Sequence, residues 1–107
     1  MDLLLDTADL AEVEHALQYY PIKGITTNPT MLSRLEQTHV LSHLKAIRAL
    51  IGDERDLHVQ LMARDRETMI REAHHLATQL GEQTFIAVPV TEVGLSVIKQ
   101  LAQEGLN

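Results

Sequence analysis

The stretch Gly24-Ile25-Thr26-Thr27-Asn28-Pro29-Thr30 decides the fold. A short apolar run from Ile22 to Ile25 stops in three polar residues and a proline. Proline is favoured at the first helical position, where its missing N–H costs nothing. Asparagine just before it is a strong N-cap, because its side-chain oxygen accepts an unpaired helix N–H. The stretch therefore reads as a strand that ends, turns within a residue or two, and starts a helix. Thr26, Thr27 and Asn28 then stand at the carboxyl end of a strand, where α/β sheets and barrels place their ligands. Helix capping alone explains the motif about as well, so the rest of the chain has to weigh between the two.

Working outward, the same alternation repeats. Leu3-Leu4-Leu5 is a continuous apolar run ending in Asp6-Thr7, as suits a strand buried on both faces. Asp9 with Glu12 resembles a capping box, and Leu10, Val13, Leu17 and Tyr20 follow at helical spacing until Pro21. Beyond the central stretch, Thr38 is expected to cap a helix with Val40, Leu41, Leu44, Ile47 and Ile51 on one stripe and Gly52 as its stop. Asp53-Glu54-Arg55-Asp56 reads as a solvated loop. In Leu57 to Met62, the third strand, Leu57, Val59 and Leu61 share one face and His58, Gln60 and Met62 the other. Asp65 caps a helix with Met69, Ile70, Ala73, Leu76, Ala77 and Leu80 inward. Thr84 to Thr91 forms the fourth strand and its turn, with Pro89 at the strand's end. Thr91 caps the last helix, whose apolar positions are Leu95, Ile98, Leu101 and Ala102. The order βαβαβαβα, with one extra short helix, predicts a parallel sheet with helices packed on it.

Composition narrows the function classes. The 107 residues, 45% hydrophobic and 22% charged, suit one globular domain spanning 1–107. No run approaches the roughly 20 apolar residues of a membrane span. The start is not that of a signal peptide, because an acidic residue leads directly into structure. The absence of cysteine rules out a disulfide scaffold, a thiol nucleophile and Cys-ligated metal, and it fits a cytoplasmic location. A net charge of −6 argues against nucleic acid or an anionic membrane as partner, and the only aromatics are Tyr19, Tyr20 and Phe85. The i, i+4 pair His39 and His43 has a possible metal spacing, which a solvated helix edge explains better; no metal site is expected.

Four segments coincide: Leu4-Leu5-Asp6-Thr7-Ala8-Asp9, the Thr26-Thr27-Asn28-Pro29 motif, Val59-Gln60-Leu61-Met62-Ala63, and Val88-Pro89-Val90-Thr91 followed by Gly94-Leu95. In this order and spacing the whole chain resembles the small transaldolases and fructose-6-phosphate aldolases. The resemblance implies a (β/α)₈ barrel that makes or breaks a carbon–carbon bond in a sugar phosphate. The chemistry runs through a Schiff base between a lysine and a ketose carbonyl, with no metal or organic cofactor. It implies that Asp6 is the acid/base carboxylate acting through a water. Thr26 and Asn28 orient the sugar and that water, and Gln60 lies near the reacting carbon.

Two departures set this chain apart from the family pattern. The resemblance puts the Schiff-base lysine immediately before Val-Pro, where this chain has Ala87. A methyl group forms no imine. Lys45 and Lys99 lie on predicted helices, and Lys23 enters the second strand with the wrong parity. Second, a (β/α)₈ barrel takes about 250 residues, so this chain corresponds to about four of eight units. The resemblance assigns the phosphate-binding serine and arginine and the proton-relay tyrosine to the other half. The expected architecture is therefore α/β, the parallel (βα)₄ half of a TIM barrel. Its inner face would carry Leu4, Asp6, Thr26, His58, Gln60, Met62, Phe85 and Ala87. An open face and two strand edges predict a homo-oligomer. The functional alternatives are an aldolase-like protein without Schiff-base activity, an assembly or sugar-phosphate-binding subunit, and a truncated product without a function of its own.

Overall fold

The computed structural model describes residues 3–32 and 37–106. Four strands, β1 (Leu3–Asp6), β2 (Ile22–Thr26), β3 (Asp56–Gln60) and β4 (Thr84–Ala87), form one sheet in the order β1-β2-β3-β4. Every pair is parallel. Between and after them run α1 (Leu10–Tyr19), the short α2 (Pro29–Leu32), α3 (Gln37–Ile51), α4 (Arg66–Leu80) and α5 (Glu92–Gln103). This is the (βα)₄ arrangement expected.

Parallel neighbours joined by right-handed crossovers must carry all their helices on one side. Accordingly α1 packs on α3, α3 on α4 and α4 on α5. The molecule measures 40 × 31 × 22 Å, and its shortest dimension is that of one sheet plus one layer of helices. Ile25, Leu57, Val59 and Leu61 point into the helical layer and are buried against Val13, Leu44, Ile47, Met69, Ala73 and Val97. His58 and Gln60 are half-buried and Met62 is exposed on the opposite face, as the period of two requires. No helix among the described residues is long and apolar enough to cross a membrane.

The caps at Asp9, Asp65 and Thr91 form as the sequence predicts. The Asp9 cap differs in its partner: Glu12 does not reach back to the Asp9 backbone. Its carboxylate instead accepts the Thr7 hydroxyl at 2.8 Å, and Thr7 Oγ1 accepts the Asp9 N–H at 3.1 Å. The predicted cap at Thr38 fails on position, because α3 already includes Gln37 and Thr38 lies within it; the Thr38 side chain lies outside what is described. On α5 the buried positions are Gly94, Val97 and Leu101, whereas Leu95 and Ile98 are exposed. The helix therefore has two apolar sides, one of them buried where α5 packs on α4.

The segment read as a solvated loop, Asp53 to Asp56, is the largest correction. Arg55 is half-buried, and its guanidinium donates to the carbonyls of Ile22 at 3.0 Å and Ile51 at 2.9 Å. Beside it, Arg48 donates to the carbonyls of Leu80 at 2.7 Å, Gly52 at 2.9 Å, Arg55 at 2.7 Å and Gln83 at 3.0 Å, and to Thr84 Oγ1 at 3.2 Å. The rigid fork of the guanidinium suits such a cluster of converging carbonyls. Burial pulls the Arg48 pKa down, while the charges of Asp53 and Asp56 pull it up. The two arginines thus tie the amino ends of β2, β3 and β4 to the helix ends below them. Periodicity gives no hint of this, because the acceptors are backbone groups supplied by the fold.

Replacing this fork with an apolar chain in Arg48→Met leaves several carbonyls without a donor. It should lower the unfolding free energy by about 2–4 kcal/mol, read from the urea midpoint. At the N-cap of α4, the Thr68 N–H and hydroxyl hold the Asp65 carboxyl below the usual carboxylate range. A carboxyl depressed in this way stabilises the folded form above its unfolded pKa of about 3.9, and this is lost as pH falls through the lower folded value. Hydrogen exchange at the Thr68 amide should accelerate on acidification in that window, and Asp65→Asn should abolish the pH dependence.

Candidate functional site

The carboxyl ends of the four strands form one rim. In register, Asp6, Thr26, His58 and Phe85 make a single row across the sheet. Gln60 opposite Ala87 lies two residues, or about 7 Å, further along the strands. The Thr26 hydroxyl donates to Asp6 Oδ1 at 2.9 Å, so two of the predicted site residues, twenty positions apart, are brought into contact. His58 and Phe85 stack with ring centroids 5.0 Å apart and planes 17° from parallel, forming a flat floor next to that pair. Asn28 stands beyond the end of β2, where its carbonyl accepts the Leu32 N–H of α2 at 3.2 Å. Ala87 is exposed at the end of β4, and its carbonyl accepts the Leu61 N–H at 3.0 Å.

Each loop above the rim is held by its own polar tie. The Thr7–Glu12–Asp9 bonds order the turn after Asp6, and a ring nitrogen of His43 sits on the Ala8 carbonyl. That contact gives His43 a structural task in place of the metal-pair reading with His39. Among the described residues no group of three or more His, Asp or Glu converges as a metal site. After β2, both the N–H and the hydroxyl of buried Thr27 donate to the His58 carbonyl, each at 3.0 Å. After β3, the Glu72 carboxylate accepts the N–H groups of Met62 at 3.0 Å and Ala63 at 3.1 Å. After β4, Thr91 Oγ1 accepts the Gly94 N–H at 2.9 Å. A side chain at Gly94 would collide with the Pro89 carbonyl, so only glycine lets α5 start this close to the end of β4.

Thr7, Glu12, Glu72 and His43 were not singled out in the sequence as supports for the site. Only Thr7 and Glu12 left a trace, in the spacing Thr-x-Asp-x-x-Glu. Glu72 reads as an ordinary polar position on a helix, because its acceptor role depends on where the preceding loop passes.

Chemically, the rim offers a carboxylate with one oxygen engaged by a hydroxyl, an amide side chain at Gln60 and a carboxamide at Asn28. Such groups bind hydroxylated compounds and can relay a proton through water. It offers no amine. Lys45 and Lys99 are exposed on α3 and α5. Lys23 lies three residues below Thr26, 4.0 Å from Asp56. A groove of about 370 Å³ beside this end of the sheet is lined by Val40 and Leu41 of α3, Met62 and Ala63 of the loop after β3, and Glu72 of α4 among others.

A sheet of parallel βα units with polar side chains gathered at the carboxyl ends of its strands defines the class of barrel-type α/β enzymes and their relatives. The chain matches the family model described as transaldolase/fructose-6-phosphate aldolase over residues 3–107, and it belongs to that family. It is 38% identical over 107 residues to a protein of Streptococcus pneumoniae (strain ATCC 700669 / Spain 23F-1) described as "Probable fructose-6-phosphate aldolase". The alignment covers 100% of this chain and 48% of the relative, so the chain spans about half the length of the curated protein it matches.

The two threonines of the motif have separable tasks. Thr27→Val, at a buried position, should lower the unfolding free energy by about 1–2 kcal/mol, whereas Thr26→Val at the open rim should cost about 0.5 kcal/mol or less; chemical denaturation of the two variants side by side tests this.

Proposed function

We propose that this chain binds a sugar phosphate or small ketose at the rim through Asp6, Thr26, Asn28 and Gln60, without Schiff-base aldol chemistry. The observation that carries the reading is the pairing of Thr26 with Asp6 at the mouth while Ala87 stands opposite Gln60. The family pattern would put its imine-forming lysine at that alanine. Imine formation joins an amine nitrogen to the carbonyl carbon and expels the carbonyl oxygen as water, so it needs a nitrogen at the reacting carbon. Losing a catalytic nucleophile costs on the order of a millionfold in rate. Asp6 keeps the position from which a carboxylate would move protons through a water, and here it serves to hold a hydroxyl. No metal or organic cofactor enters this reading, and a cysteine-free, acidic chain suits a cytoplasmic role in carbohydrate metabolism.

A second reading, a subunit that acts through assembly, is favoured by the exposed apolar side chains Leu95 and Ile98 on α5. A truncated product without a function of its own makes neither ligand binding nor assembly necessary.

Borohydride reduction in the presence of fructose 6-phosphate or dihydroxyacetone should leave the intact mass of the protein unchanged. Ala87→Lys should acquire a borohydride-dependent adduct that peptide mapping locates at position 87. A reduced adduct on the unaltered chain would overturn the proposal.

A further inference from the structure

The polar groups assigned to ligand binding leave out one side chain of the row that carries Asp6 and Thr26. His58 stands in register between Thr26 of β2 and Phe85 of β4. Neighbouring strands lie about 4.8 Å apart, and residues opposite one another in a parallel pair send their side chains to the same face. The imidazole is therefore the immediate neighbour of the hydroxyl that bonds Asp6. The strands on both sides of His58 belong to this chain, so its placement does not depend on what lies beyond β1 or β4.

The fold fixes this residue from several sides. Its neighbours along the strand, Leu57 and Val59, are buried in the helical core. Its carbonyl accepts both the N–H and the hydroxyl of buried Thr27, each at 3.0 Å. Its ring lies against Phe85, with centroids 5.0 Å apart and planes 17° from parallel. Stacking occupies a face of the ring and leaves clear the edge, which carries both nitrogens. Among the described residues neither of these nitrogens has a hydrogen-bond partner. No buried side-chain nitrogen or oxygen among the described residues lacks a partner, so the ring nitrogens of His58 are open rather than enclosed. For packing on Phe85 alone they contribute nothing, because a carbocyclic ring stacks as well.

We propose that His58 is a further ligand-contacting residue of the rim, where its ring edge hydrogen-bonds a hydroxyl of a bound ketose or polyol beside Thr26. A neutral imidazole presents one donor and one acceptor. The Thr26 hydroxyl donates its only proton to Asp6 and keeps its lone pairs. A ligand hydroxyl lodged between the two accepts the imidazole N–H and donates its own proton to Thr26 Oγ1. Gln60 lies two residues, about 7 Å, nearer the end of the same strand and on the same face, within reach of a hydroxyl further along the ligand. Thr26, His58 and Gln60 together therefore suit a compound that carries hydroxyls on several carbons. Because Phe85 and Thr27 hold the residue in place before any ligand arrives, little side-chain freedom is lost on binding. This contact rests on the binding proposed above for the rim.

Proton–nitrogen correlation spectra of the histidine rings, recorded while dihydroxyacetone or fructose 6-phosphate is added, test the contact. The chain has 6 histidines, and the signals lost in His58→Phe identify the one in question. The His58 ring nitrogens should shift and saturate together with the backbone amide of Thr26. His58→Phe keeps a ring against Phe85; it should retain the circular dichroism spectrum and weaken binding about five- to tenfold. His58→Gln, which restores a donor and an acceptor, should recover part of that loss. Shifts at the Thr26 amide with none at the His58 ring, or an unchanged affinity in His58→Phe, would overturn the contact while leaving the rim as a binding site. Absence of a shift at both residues would overturn both.

Discussion

Right-handed crossovers between parallel strands leave the chain no choice about where its helices go. Each unit deposits its helix on the same side, and the next strand is added at the same edge. Repeated four times, this builds a sheet with one face closed by Ile25, Leu57, Val59 and the helical core. The other face carries Asp6, Thr26, His58, Gln60 and Phe85. The core and the polar row at the rim both follow from that single constraint.

The two ends of the strands are held by different chemistry. At the amino ends, Arg48 and Arg55 supply rigid forks to carbonyls of turns and helix ends. At the carboxyl ends, hydroxyls and carboxylates tie each loop separately, through Thr7, Thr27, Glu72 and Thr91. The guanidiniums join several segments at once, as stability requires. The individual ties let each loop keep its own shape above the rim. A rim preorganised in this way keeps its arrangement even though Ala87 contributes no functional group to it.

Much of this was legible along the chain. The switch from apolar runs to polar residues marked the ends of β1 and β2, whereas β3 runs from Asp56 to Gln60 and not from Leu57 to Met62 as expected; the Thr-Thr-Asn-Pro motif placed Thr26 and Asn28 at the rim. Alternation in Leu57 to Met62 separated the core face from the face with Gln60. Failures fell where a residue's partner is a backbone group or a distant segment. Arg55 looked like part of a charged loop, Glu72 like an ordinary polar position, and Leu95 and Ile98 like further members of the apolar set of the last helix.

By itself the sequence determined the number, type and order of the elements, because periodicity, capping and turn chemistry act over a few neighbouring residues. It also determined which side chains could meet at the rim and that no lysine stands before Val88-Pro89. Only the tertiary structure decided that the Thr26 hydroxyl bonds Asp6, that His58 lies flat on Phe85, and that the amino ends of the strands hang on two arginines. Those contacts join segments twenty or more residues apart, and their geometry exists only once strand register has been set by packing the sheet against its helices.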